Sequence, residues 1–203
     1  MTALKIVIIV AVGYLIGCLS TAYIVGKLFG NVDIRQHGSG SLGATNMVRV
    51  KGWKYGLFTL LGDASKGAVA SALGWLILGS VDGAAIGGVA AIVGHNWPVF
   101  LNFKGGKGVA ATLGSILVVN WWVGLVMIAL AVLIIAVTRY VSVGSMVGGA
   151  GVAVFMACLN WGSDWVLVAY GLIVGLMIIL VHHANIGRLL HGSENKLSFG
   201  KKR

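Results

Sequence analysis

The chain has 203 residues, of which 58% are hydrophobic and only 10% charged, with 32 Gly and a mean hydropathy of +0.96. A soluble domain carries about 25% charged residues, and this apolar surplus exceeds what one small soluble core can hide; a soluble globule, a disordered chain and a disulfide-built scaffold (two Cys, at 18 and 158) are excluded. The formal charge of +10, with five acidic residues, directs attention to loops at an anionic membrane face and to anionic ligands, and no long polar basic segment exists to lie along nucleic acid.

A membrane-crossing helix needs roughly 17 to 25 mostly apolar residues. The first candidate is 4–25. Within it Leu15-Ile16-Gly17-Cys18 looks like a lipoprotein cleavage box, but only Lys5 precedes it and the apolar run continues to Val25, so the match is read as chance. A polar loop follows from Asp33 to Arg49, in which Gly38, Gly40 and Gly43 are interleaved with Ser39, Ser41, Thr45 and Asn46. Such a loop can turn its backbone N–H groups toward an anion; a plain connector with arginines serving topology is the alternative, and the density of hydroxyls among glycines favours the anion site. The second span, 56–80, contains Asp63 and Lys66 at i, i+3. A mutually neutralising pair that fixes one helix against its neighbours and a pair that acts in chemistry both fit.

The third span, 83–101, runs into Gly94-His95-Asn96-Trp97-Pro98, which holds the chain's only proline, and then Lys104-Gly105-Gly106-Lys107-Gly108 opens a short fourth span at 107–119. Glycines allow close approach of a phosphate, a helix N-terminus offers unpaired N–H groups, and two lysines add charge. The spacing is not that of a Walker A loop, so the segment reads as a phosphate cradle without nucleotide hydrolysis, or else as a re-entrant turn with snorkelling lysines. Asn120-Trp121-Trp122 forms an interfacial turn into the fifth span, 121–138. The sixth, 142–160, opens with Ser142 and Ser145, and the seventh is 164–183. The latter closes on His182-His183-Ala184-Asn185 and continues through Arg188 and Glu194 to Lys196. His182 and Asn185 share a helix face; no carboxylate stands at ligand spacing for a metal, and histidines near headgroups are the competing reading. Gly13/Gly17, Gly83/Gly87, Gly144/Gly148 and Gly171/Gly175 have the spacing of close helix packing in lipid.

Of the 15 Lys and Arg, 13 fall in loops after odd-numbered spans or in the C-terminal tail. The expectation is one all-α integral membrane domain over 1–203 with seven transmembrane helices, N-terminus outside and C-terminus cytoplasmic. Its polar clusters form a hydroxyl-rich, cationic pocket at the cytoplasmic face, suited to a substrate with a phosphate and an acyl chain. A covalent acyl-enzyme is disfavoured, since there is no Gly-x-Ser-x-Gly elbow and neither Cys lies near the clusters.

At these residues the sequence resembles the bacterial acyl-phosphate:glycerol-3-phosphate acyltransferases, the PlsY family. The matching stretches are Ser20 to Lys27, the Gly-Ser-Gly-x-x-Gly-Ala-Thr-Asn loop at 38–46 with Arg49, Asp63-x-x-Lys66-Gly67, Gly94 to Thr112, and His182-x-x-Asn185-Ile186 with Arg188. Ser41 departs from the Asn of the family loop, and His183 stands where a more strongly basic residue is expected. The resemblance implies transfer of a fatty acyl group from acyl phosphate to the sn-1 hydroxyl of glycerol 3-phosphate, giving lysophosphatidic acid and phosphate in the bacterial inner membrane. It implies no metal or other cofactor, and a peripheral enzyme that supplies acyl phosphate as functional partner. Ser39, Thr45 and the amides of Gly105, Gly106 and Gly108 would hold the acyl-phosphate group, with Asn46 and Ser142 also on the substrate; Arg49, Lys104 and Lys107 would hold phosphate charge; and His182, Asn185 and Lys104 would serve the reacting groups. A carrier for a phosphorylated small organic anion is the alternative, although a carrier calls for a midplane site and usually repeat symmetry.

Overall fold

The computed structural model describes residues 1–197, and these form ten α-helices. They are α1 (Thr2–Cys18), α2 (Thr21–Leu28), α3 (Ala44–Lys51), α4 (Trp53–Leu78), α5 (Val81–Asn96), α6 (Val109–Val119), α7 (Trp121–Thr138), α8 (Val141–Asn160), α9 (Trp165–Val181) and α10 (His183–Leu190). Short 3-10 turns occupy Ile34–Gln36 and Val99–Leu101. Among the described residues, four stretches are long and apolar enough to cross a membrane, namely Thr2–Leu28, Val81–Leu101, Trp121–Thr138 and Val141–Asn160. A fifth appears if α9 and α10, bent by 55° at His182, are taken as one.

Three expected spans are altered for identifiable reasons. The first is interrupted at Leu19, which is extended, and Ser20 caps α2 by accepting from the Tyr23 N–H at 3.3 Å. The second, α4, is 26 residues long but carries Asp63 and Lys66 in its buried face. The fourth, α6, has only 11 residues, a rise of about 16 Å, because the glycine-rich turn before it consumes the rest. It is a half-length helix leaning on α4.

Small residues set the helix spacing. A Cβ on Gly67 would run into the Ala111 carbonyl, one on Gly114 into that of Ala64, and one on Gly17 into that of Ala91. These contacts bring α6 against α4, with Ser71 and Ser115 paired four residues beyond Gly67 and Ala111 so that the two helices run parallel, and α1 alongside α5. The expected turn at Asn120 is present, its side chain accepting from the Val123 N–H, and Asp164 caps α9 through the N–H groups of Val166 and Leu167 at 3.0 and 3.1 Å. One apolar core joins α5, α6, α7, α8 and α9 around Ile92, Ile116, Met127, Met156 and Tyr170. Inside it Ser71, Ser115 and Tyr170 satisfy one another at 2.9 Å. A second cluster of Ala22, Val25, Ile34, Leu42 and Met47 packs α2 and α3 across the end of the bundle that holds the polar loops.

Candidate active site

At that end lies a cavity of about 470 Å³ between α3, α4, α6, α7, α8 and the α9–α10 bend. Its head is polar, with Ser39, Thr45, Arg49, Lys107, Ser142, His182, Asn185, Arg188 and Glu194. Its remainder is apolar, running past Leu57, Leu60 and Leu113 on one wall and Ile128, Val132 and Ile135 on the other. Leu57 and Val132 are exposed at the rim, so the groove opens sideways where lipid would stand.

The first loop is shaped by Asn46, which is buried at the start of α3. Its Nδ2 donates to the carbonyls of Ile34, His37 and Ser41, and its Oδ1 accepts from the Ser39 N–H at 2.8 Å. Both amide N–H groups and the amide oxygen are engaged within the loop, so Asn46 builds the wall that presents Ser39 and Thr45. Arg49, one turn after Thr45, stands exposed at the mouth. Arg35 is forked onto Asp33 at 2.7 to 3.2 Å and stays out of the cavity.

The glycine-rich turn departs from expectation. The Gly105 N–H donates to the Asn96 carbonyl at 3.2 Å and the Gly106 N–H to the His95 carbonyl at 3.1 Å. Both amides are therefore committed to the end of α5, and neither glycine lines the cavity. Asn102 and Phe103 take left-handed backbone conformations (φ 54° and 57°) after Pro98, and Lys104 emerges exposed on the outer side of the turn. Lys107, Gly108 and the first turn of α6 do reach the cavity. The first amides of α6 have no acceptor within their helix and supply the positive end of its dipole.

Lys107 is gripped from across the site. Its Nζ donates to Asn185 Oδ1, and Asn185 Nδ2 donates to Glu194 Oε1 at 2.6 Å. Glu194 also accepts from Ser142 Oγ at 2.9 Å and, through Oε2, from Arg188 Nε at 2.6 Å. Burial pushes the Lys107 ammonium down to about 8; Glu194 opposes that shift while Arg188 and Arg49 add to it. Burial would raise Glu194, but hydrogen bonds from Asn185, Arg188 and Ser142 outweigh it and hold the carboxyl below its ordinary range. His182 Nδ1 lies 2.7 Å from the Ile178 carbonyl; a carbonyl only accepts, so Nδ1 carries the proton and the neutral ring has Nε2 as its acceptor. Deeper in, buried Asp63, His95 and Thr112 line the floor. Asp63 Oδ1 lies 3.1 Å from Lys66 Nζ, which donates to the Leu19 carbonyl at the α1–α2 break at 2.8 Å. The expected i, i+3 ion pair is formed, and the carbonyl left over at a helix end completes it.

Residues 7–192 match the family model described as glycerol-3-phosphate acyltransferase. The chain belongs to the glycerol-3-phosphate acyltransferase family. Curated family relatives include a glycerol-3-phosphate acyltransferase of Thermoanaerobacter sp. (strain X514), 42% identical over 92% of both chains, and glycerol-3-phosphate acyltransferase 2 of Bacillus anthracis, 45% identical over 91% of this chain and 95% of that one. Among solved structures, the fold is similar to PlsY, an integral membrane glycerol 3-phosphate acyltransferase, in its glycerol 3-phosphate form. The TM-score is 0.88, with 34% identity and coverage of 95% of this chain and 96% of that one. The lysophosphatidic acid form of PlsY matches with a TM-score of 0.86 at 33% identity. This family member is accordingly an all-helical integral membrane protein.

Sequence alone assigns no role to Glu194 or His95, both of which line the cavity. Glu194 is the chain's only Glu, a signal that was available, yet it sits in a polar tail where an acidic residue needs no explanation. His95 falls within a quoted motif, but only the fold reveals that it faces Asp63.

Proposed function

We propose that this acyltransferase takes its acyl group from acyl phosphate and delivers it to the sn-1 hydroxyl of glycerol 3-phosphate. The hydroxyl oxygen bonds to the acyl carbonyl carbon, the carbon–oxygen bond to phosphate breaks, and the hydroxyl proton passes to a phosphate oxygen. Lysophosphatidic acid and inorganic phosphate result. The observation that carries this reading is the cavity itself, with a cationic, hydroxyl-bearing head joined to an apolar groove that opens sideways. Such a shape fits an amphiphile whose phosphate is held while its chain stays in lipid.

In this mechanism Ser39, Thr45, Gly108 and the first amides of α6 hold the donor phosphate. Arg49 and Lys107 hold phosphate charge, and His182 Nε2 with Asn185 orients the acceptor hydroxyl. Acyl phosphate is already activated, so placement and charge stabilisation supply the rate, and no other cofactor enters the scheme. Lys104, Gly105 and Gly106 take no contact with the reacting atoms in it. The charge distribution of the sequence supports a single domain of seven crossings with the N-terminus outside and the site at the cytoplasmic face of the inner membrane. There a peripheral enzyme would supply acyl phosphate.

Purified protein in proteoliposomes, given palmitoyl phosphate and labelled glycerol 3-phosphate with a chelator present, should form lysophosphatidic acid and phosphate in equal amounts. Arg49→Ala should lower turnover at least about 100-fold. Counterflow of glycerol 3-phosphate without phosphate release would instead establish a carrier.

A further inference from the structure

We propose that Asp63 and His95 are positioning residues that set the Lys104–Gly108 turn, and through it Lys107, from inside the bundle. Both are almost wholly buried, at 1% and 5% exposure. His95 grips the turn twice. Its carbonyl accepts the Gly106 N–H, and its ring stands so close to Gly106 that a Cβ there would collide with Nε2 on one side and approach the Leu42 carbonyl to 2.5 Å on the other. Asn96 repeats the pattern one residue on: its carbonyl accepts the Gly105 N–H, and its Oδ1 would lie 2.6 Å from a Cβ on Gly108. The last two residues of α5 therefore dictate the path of the turn.

The His95 ring needs a fixed orientation to do this, and Asp63 on α4 supplies it. Asp63 Oδ1 lies 3.6 Å from His95 Nδ1, beyond hydrogen-bond length but close enough for a charge to matter in a buried, weakly screened setting. Asp63 is itself fixed through Lys66 to the Leu19 carbonyl. A linked series of contacts thus runs from the α1–α2 break, through Lys66, Asp63 and His95, to the turn that presents Lys107 to Asn185. Neutralising Lys66 would require only a carboxylate beside it; the approach of His95 to the same oxygen gives Asp63 its second role. The consequence for substrate rests on the acyltransfer reading above, in which Lys107 holds phosphate charge.

The test compares Asp63→Asn with the charge-neutral double variant Asp63→Asn/Lys66→Gln in the intact protein. Hydrogen exchange in the segment 102–109 should quicken about tenfold in both, because a His95 ring no longer held by Asp63 stops fixing the turn against the carbonyls that accept from the Gly105 and Gly106 amides. The KM for glycerol 3-phosphate should rise about tenfold while kcat changes less than about threefold, as expected for a displaced binding group. His95→Gln, which keeps the backbone carbonyl, should give the same two results and serves if Asp63→Asn does not fold. Unchanged exchange in that segment, or a wild-type KM in the double variant, would overturn the proposal, the latter by reducing Asp63 to a counter-ion for Lys66. Exchange requires no turnover, so absence of phosphate release by the wild type would refute the acyltransfer reading alone.

Discussion

Lys107 donates through Nζ to Asn185 Oδ1 and so ties the turn ahead of α6 to the first turn of α10, across 78 positions of sequence. The other lysine of the same motif, Lys104, is exposed and off the cavity. The two should separate cleanly in mutagenesis. Lys107→Met should reduce kcat/KM by about 100-fold to 1,000-fold, the usual cost of removing a charged contact to a reacting phosphate, whereas Lys104→Ala should stay within about threefold of wild type. Phosphate release assays on both variants decide it; equal losses would return Lys104 to the site.

The lowered Lys107 ammonium predicts a pH dependence. The group holds its charge below about 8 and loses it as pH rises through that value. A phosphate ligand favours the charged form, so affinity for glycerol 3-phosphate should be steady from pH 6.5 to 7.5 and weaken about tenfold per pH unit well above 8. Lys107→Arg keeps its charge throughout and should flatten the curve. Calorimetric titration of ligand into both proteins between pH 6.5 and 10 is the measurement.

Glu194 gathers three donors, Ser142 from α8 and Asn185 and Arg188 from α10. Glu194→Gln removes the negative charge and leaves Arg188 without its partner. Breaking a buried, charged hydrogen-bond network costs about 3 kcal/mol, so the thermal midpoint should fall by several degrees together with activity. The depressed carboxyl gives this contribution its sign: it is fully present above the ordinary carboxyl value of 4.5 and lost as pH falls through the lower folded value. The wild-type midpoint should therefore converge on that of Glu194→Gln in acid.

The polar segments of the site were legible in the sequence because charge, hydroxyls and glycine are conspicuous in an apolar chain. Their wiring was not. Asn46 looks like one more loop polar until the carbonyls of Ile34, His37 and Ser41 converge on it, an arrangement that depends on how the loop folds back. Gly105 and Gly106 have the composition of a phosphate cradle, but the α5 end captures their amides first. Hydropathy runs on through Leu19 and Ser20, so the break between α1 and α2 leaves no trace in it; the break is explained only by Lys66, 47 residues away, taking the Leu19 carbonyl. Glycine pairs at helical spacing were legible as packing sites, although Gly144 and Gly148 also line the cavity.

Gly148 makes the acyl groove testable. A Cβ there would meet Ala131 Cβ at 3.4 Å and the Met127 carbonyl at 3.7 Å, ordinary contacts, whereas the neighbouring Gly149 is packed tightly on Ile178. Gly148→Leu should therefore fold and place its side chain in the groove. At about 0.8 kcal/mol per buried methylene, losing room for two methylenes should cut kcat/KM about tenfold with a sixteen-carbon acyl phosphate and leave an eight-carbon one within about threefold. Equal effects on both chain lengths would place the chain elsewhere.

The sideways opening past Leu57 and Val132 has a kinetic consequence for such an acyltransferase. A donor that enters from the bilayer never visits bulk water, so the quantity that sets its encounter rate is how many donor molecules there are per lipid. Diluting the membrane with inert phospholipid, at constant total donor, should slow the reaction as surely as withholding substrate. The water-soluble acceptor obeys ordinary volume concentration. The enzyme would join a two-dimensional reservoir to a three-dimensional one, and the crowding of its own membrane would regulate half of its supply.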